Sequence, residues 1–241
     1  MRNLKALVFI SALLIFNSCG KDFENLMNAA NEISSYCGTK DVNVSETSMS
    51  HFNGKNISTY NITIKNVKQL EEGGYPTMLV ASHCAKLLYE KLTDEQRNEK
   101  EAINVKIVKA AGAEEFTYEI TQIKKIDAFA KIAREAILKI KGKNYAGIYD
   151  TNIDKSAITQ DVFTANLVDK VLQPNEEIFG KITSIEIVGF DFRKENNYDL
   201  VDIYVATPTE KNRVNFQFTF KNQKNPKVAG IWINLNPTQK D

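Results

Sequence analysis

The sequence predicts an α+β protein of two domains, each with helices packed on an antiparallel sheet, and three observations carry that prediction. Helical and strand periodicities follow one another through the first half as helix, hairpin, helix, hairpin. A long amphipathic helical stretch opens the second half, and period-two segments close it. Apolar residues at 43% and charged residues at 25% sit near globular averages, which argues against a disordered chain or a membrane channel. The expected boundaries are a leader over 1–18, a first domain over 19–122 and a second over 123–241.

In the first domain, Phe23, Leu26, Met27, Ala30 and Ile33 recur at three and four, the spacing of a helix with one apolar face. Cys37-Gly38 ends it, glycine supplying the left-handed cap. Val42 and Val44 begin an extended run that reaches His51-Phe52, and Asn53-Gly54 is the signal of a type I′ hairpin turn. Tyr60, Ile62 and Ile64 alternate with polar residues as the returning strand. Gly73-Gly74 breaks the chain, Pro76 suits a first helical turn, and Met78, Ala81, Cys84, Ala85, Leu88 and Leu92 form the next stripe. The polar stretch 93–101 reads as a loop or the frayed end of that helix. Ile103, Val105 and Ile107, then Phe116, Tyr118 and Ile120, alternate on either side of a turn at 110–113 as a second hairpin.

In the second domain, Ile126, Phe129, Ala130, Ala133, Ile137 and Ile140 line one helical face before Gly142 stops it. A shorter helix over 160–172 presents Val162, Phe163, Leu167, Val168 and Val171, with Pro174 just past its end. Ile185 and Ile187 alternate, the period slips at Val188-Gly189 and resumes on Phe190 and Phe192, which predicts a bulge in a bent strand. Val201, Ile203 and Val205, then Val214, Phe216, Phe218 and Phe220, then Ile231, Ile233 and Leu235, complete a curved four-stranded meander. The Phe stripe and Trp232 are expected to pack the sheet.

The leader explains where such a protein would work. Arg2 and Lys5, an apolar run over 6–16 and then Asn17-Ser18-Cys19 have the layout of a secretory signal. The run is too short for a bilayer, which takes about 20 apolar residues. The segment Phe16-Asn17-Ser18-Cys19 resembles the lipobox of bacterial lipoproteins, although Phe16 and Asn17 depart from the usual pattern. That resemblance implies acylation of the Cys19 thiol, cleavage just before it and attachment to a membrane. Gly20, where an aspartate retains some lipoproteins at the inner membrane, implies the outer membrane, on its periplasmic face or at the cell surface. Each buried acyl methylene contributes about 0.8 kcal/mol, so the multiple chains of that family hold firmly.

The second half, from near Ile123 to Leu235, is similar in its order of elements to the NTF2-like, cystatin-like α+β cones of small lipoproteins. A long helix, the 145–149 segment, a second helix, then Phe179-Gly180-Lys181-Ile182 leading into a bent strand and a meander ending Val228-Ala229-Gly230-Ile231-Trp232-Ile233 carry the likeness. It implies a concave sheet with a mouth, and no particular activity, since such folds host enzymes, binding modules and scaffolds.

Few residues offer chemistry. His51 and His83 are the only histidines, in no metal spacing, and each reads as a surface residue. No metal site and no cofactor is expected. Net charge is +1, falling to about −1 once Arg2 and Lys5 leave, and the charges are interspersed, so nucleic acid is not an expected partner. With Cys19 lipidated, Cys37 and Cys84 remain; they either pair, closing a loop with about 3 to 4 kcal/mol of stabilisation, or stay as two buried thiols. The cone aims Tyr145, Tyr149, Asp191, Asp202 and Tyr204 at its mouth. Asp202 sits in the apolar run 200–206 and either lines a pocket as a base or ligand contact, or follows strict alternation and points to solvent. These readings converge on a lipid-anchored envelope protein that binds or scaffolds without catalysis, taking a small apolar ligand or another envelope protein. The alternatives are a hydrolase or isomerase in an NTF2-like pocket, and a cystatin-like inhibitor or immunity protein acting through the loops at 195–198 and 208–213.

Overall fold

A computed structural model describes residues 23–52, 54–71, 76–210 and 212–235, and divides the chain between Ile123 and Lys124 into two compact units. The structure is α+β, with two four-stranded sheets and helices. The lipidation residue Cys19 lies outside the described residues.

The first unit begins with α1 (23–37), which closes in a Schellman-type turn: Thr39 N–H donates to Ser34 O, and Gly38 stands at φ 64°. β1 (Val42–Phe52) and β2 (Lys55–Lys65) form the expected antiparallel hairpin, with Gly54 at φ 76°, a conformation that disfavours any side chain. The short α2 (Lys68–Glu71) leads to α3 (Thr77–Lys91), and α4 (Asp94–Glu99) follows. Thus the polar stretch after Leu92 is a helix of its own. Thr93 caps it by accepting from Gln96 N–H, while the Gln96 side chain accepts from Thr93 N–H, the reciprocal pair of a capping box.

β3 (Ala102–Lys109) and β4 (Gly112–Glu119) form the second hairpin, and Ile120 turns out to begin α5 (Ile120–Ile123) rather than extend the strand. The sheet order is β1-β2-β3-β4, but β2 and β3 run parallel. The sheet is therefore mixed, where an antiparallel one was expected. The reason is the crossover through α3, which returns the chain to the end at which β2 began. Parallel register sets Tyr60 beside Ile103, Ile62 beside Val105 and Ile64 beside Ile107, all fully buried. α3 contributes Val80, Ala81, Cys84, Ala85 and Leu88 to the same core. Burying each large aliphatic side chain stabilises the unit by about 1.5–3 kcal/mol.

The second unit starts with α6 (Ile126–Lys141), which buries the predicted apolar face, and α7 (Tyr145–Asn152), capped by Asn144 accepting from Gly147 N–H. α8 (Gln160–Phe163) continues into a π-helix (Thr164–Leu172), a 3₁₀ turn (Gln173–Asn175) and α9 (Glu176–Gly180). The wider π-turn fits the burial: Phe163, Val168 and Leu172 recur at five and four, a longer period than an α-helix serves, and Val162 is left exposed.

β5 (Glu186–Glu195), β6 (Tyr198–Pro208), β7 (Arg213–Lys221) and β8 (Val228–Asn234) form an antiparallel meander in that order. The bulge falls between Ile187 and Gly189, as the slipped period predicts. Asn196 and Asn197, both at positive φ, make the tight turn from β5 to β6. One face of the sheet carries Phe216, Phe218 and Phe220, and the helices cover it: Phe129 of α6 meets Phe220 edge-on at 5.2 Å, and Phe179 of α9 lies 6.1 Å from Phe216.

Candidate functional site

The opposite face of this sheet holds the polar candidates. Because side chains alternate, Val201, Ile203 and Val205 join the Phe side while Asp202 and Tyr204 stand on the other. Strand register then sets Asp191 of β5 beside Asp202 of β6 and Asp202 beside Thr219 of β7. The next row runs Tyr204, Gln217, Trp232 across β6, β7 and β8.

Asp202 does not point into solvent: it is 1% exposed and fully partnered. Its Oδ2 accepts from Arg193 Nε at 2.6 Å, and its Oδ1 accepts from Thr219 Oγ1 at 2.5 Å. Arg193 also reaches the Glu195 carboxylate, and the hydrogen bond to Asp202, followed by that to Glu195, raises the guanidinium pKa above its ordinary value. A charge buried this deeply persists only with such partners.

Asp191 is the less satisfied carboxylate. Burial first, and the neighbouring Asp202 charge second, raise its pKa, against the Phe192 N–H and Arg193, which lower it. Burial, Asp202 and Asp191 together push the Tyr204 hydroxyl up to about 12. Tyr204 is thus a hydrogen-bond donor at neutral pH, far from the range a general base needs.

Asp191 makes a pH prediction. Its folded pKa lies above the unfolded value near ~3.9, so between the two the folded state holds more protons and stability falls as pH rises. Asp191→Asn is expected to remove that slope and to raise stability near neutral pH by less than about 1 kcal/mol, solvent screening limiting the gain. Urea midpoints followed by fluorescence of Trp232, the sole tryptophan, at acid and neutral pH check this. An unchanged slope in the variant would remove Asp191 as its source.

Tyr145 and Tyr149 belong to a different group, in the helical layer. The Tyr145 hydroxyl donates to Glu176 Oε1 at 3.0 Å, and burial, then Glu176, pushes its pKa up to about 12. Lys143 pairs with the same carboxylate. The Tyr149 ring packs 5.5 Å from Phe163, with Lys155 Nζ 5.1 Å from its centroid. So Asp191, Asp202 and Tyr204 come together, and the two α7 tyrosines have other partners. Arg193, Thr219 and Gln217 join the group without having been singled out from the sequence, and Trp232 joins it from the packing role expected of it. For Gln217 and Thr219 the signal was the alternation itself, Asn215, Gln217, Thr219 and Lys221 interleaving the Phe stripe. Trp232, expected to pack, is 58% exposed.

No protein-family model and no curated protein matches the chain.

Elsewhere, a concavity of about 480 Å³ in the first unit is lined by Lys65, Val67, Leu70 and Val108 among others, and one of about 430 Å³ in the second by Lys125, Phe129, Asn222 and Pro226 among others. Neither includes a candidate site residue. Among the described residues, no group of three or more His, Cys, Asp or Glu side chains is placed to hold a metal ion, and no helix is long and apolar enough to cross a membrane. His83 stacks on Tyr36 at 4.1 Å.

Proposed function

We propose that this chain is a lipid-anchored binding protein of the cell envelope, held at the outer membrane through Cys19, which engages another envelope protein through the polar face of β5–β8 and catalyses no reaction. The observation that carries the reading is Trp232, exposed at the end of the Tyr204, Gln217, Trp232 row. Trp, Tyr and Arg dominate the binding energy of protein interfaces, and this face presents all three. Small-molecule sites are concave and mostly apolar, whereas these residues spread in register over three adjacent strands. The protein partner is therefore favoured over a small apolar ligand. Asp191 and Glu195 stand on this face with Arg193 and Lys221, which suits a partner surface of mixed charge and hydrogen-bonding groups.

The long helix α6 over a four-stranded antiparallel meander supports the likeness to NTF2-like and cystatin-like folds, which brings no activity with it. The enzyme reading is weaker because both Asp202 oxygens are occupied and Tyr204 is a poor base. For the inhibitor reading, 195–198 is a tight hairpin turn with Tyr198 exposed.

The test is a photo-crosslinking residue placed at position 232 or, as a control, at the exposed Val162, in cells making the full-length chain. A discrete adduct from 232, absent from 162 and weakened by Asp191→Lys, is expected. Identical adduct patterns at the two positions would overturn the binding face. In the same cells Cys19→Ala is expected to move the protein out of the membrane fraction, and persistence there would overturn the lipid anchor.

A further inference from the structure

Cys37 ends α1, Cys84 lies in the middle of α3, and their Sγ atoms are 3.5 Å apart across 47 residues of sequence. Neither residue is exposed to solvent at all. One turn away on the same helices, Ile33 of α1 and Val80, Ala81 and Leu88 of α3 are all buried as well. The pair belongs to no metal-binding group among the described residues. Nor is it a nucleophile of the folded chain, since a reactive thiol needs access and a depressed pKa, and burial, then Cys37, raises the Cys84 pKa well above its ordinary value.

We infer that Cys37 and Cys84 are joined by a disulfide formed while the chain folds in the envelope, and that this bond fastens α1, the helix nearest the lipid tether, to the body of the first unit. The inference rests on the envelope address proposed above. Disulfides persist in oxidising compartments and not in a reducing cytosol. In the step, each thiol gives up its proton and the pair gives up two electrons as the S–S bond forms. A protein disulfide of a thiol–disulfide oxidoreductase accepts them, passing through a mixed disulfide and leaving as a dithiol. From 3.5 Å the sulfurs need close by only about 1.5 Å to reach bonding distance, a small side-chain rotation. Burial sets the timing: the oxidant reaches these sulfurs before α1 docks on α3, and reductants are excluded afterwards.

The need for such a bond lies in how α1 is held. Its buried residues are Ala29, Ile33 and Cys37, while Phe23 and Met27, nearer the tether, are exposed, and Asn25 there donates to Gln96 Oε1 of α4 at 3.0 Å. Its ion pair to α3, Glu32 with Lys91 at 2.6 Å, is solvent-exposed on both sides and adds little. Any pull on the tether acts first on the end where no side chain before Ala29 is fully buried, and the covalent link at the far end of the helix resists its detachment.

The test uses the full-length protein, trapped at lysis with iodoacetamide in denaturant, with and without prior reduction, and digested for mass spectrometry. Expected is one cross-linked species joining the Cys37 and Cys84 peptides, about 2 Da below the sum of the thiol forms, with alkylation of both only after reduction. Protein reduced in denaturant and refolded with reductant present is also expected to show a Tm of the first unit lower by roughly 10 °C or more, while the same treatment leaves a Cys37→Ala/Cys84→Ala variant unmoved. Full alkylation without reductant would overturn the disulfide. Fractionation of the same cells separates the two ideas: free thiols in membrane-bound protein sink the staple alone, and free thiols in cytosolic protein sink the envelope address with it.

Discussion

Phe218→Ala is expected to destabilise the second unit by about 3–5 kcal/mol, the range for removing a large aromatic side chain from a closed core. Phe218 is fully buried, stacks on Phe216 at 5.9 Å and lies in register between Ile203 of β6 and Ile231 of β8. Its neighbours are held on three adjacent strands by ladder hydrogen bonds, so they cannot move in to fill the cavity. Against a typical domain stability of about 5–15 kcal/mol, such a loss leaves the unit near its threshold. Trp232 on β8 reports this unit, and its urea midpoint should fall by roughly 2 M. A shift equivalent to less than about 1 kcal/mol would mean that the Phe stripe is not the core of the sheet. Truncating the exposed Val162 is the control and should stay within about 0.5 kcal/mol of the parent.

This core was legible in the sequence because alternation is a local property. Val214, Phe216, Phe218 and Phe220 occupy every second position, and no tertiary information is needed to place them on one face. The bulge at Val188-Gly189 was legible for the same reason, as one residue interrupting a period. The parallel pairing of β2 with β3 was not, since each hairpin fixes only its own two strands and the direction of the second depends on the crossover through α3. The helix α4 carried a readable signal, Thr93 with Gln96 at capping-box spacing, hidden by the absence of an apolar stripe.

The site was legible in direction and not in depth. Alternation puts Asp202 on the face away from Val201 and Ile203, but whether that face is wet depends on what the neighbouring strands place over it. Arg193 and Thr219 are brought there by strand register, which the sequence of β6 alone does not contain. Trp232 errs the other way. Its size suggested packing, yet its row neighbour is Gln217 and its strand is the last of the meander, and it stays exposed.

The partnership beneath that row makes the second large prediction. Arg193→Met keeps most of the aliphatic stem and removes the charge, leaving the Asp202 carboxylate buried with Thr219 as its one remaining side-chain hydrogen bond among those described. Breaking a buried ion pair from one side typically costs about 3–5 kcal/mol, because the other charge is stranded. Arg193 is 35% exposed, so water can reach part of the gap, and about 2–4 kcal/mol is the expected loss. Adding Asp202→Leu to Arg193→Met should recover most of it, since the stranded charge is gone and an apolar side chain of similar size takes its place. Urea denaturation read at Trp232 measures both variants, and the double-mutant cycle isolates the coupling. A loss below about 0.5 kcal/mol in the single variant would make Arg193 an ordinary surface charge. That result would also weaken the binding face, because a row of Tyr204, Gln217 and Trp232 can serve as a rigid platform only if the layer beside it is locked. The recovered double variant then separates stability from recognition: it should fold like the parent yet crosslink less at position 232, having lost the part-exposed Arg193 guanidinium that the face offers a partner.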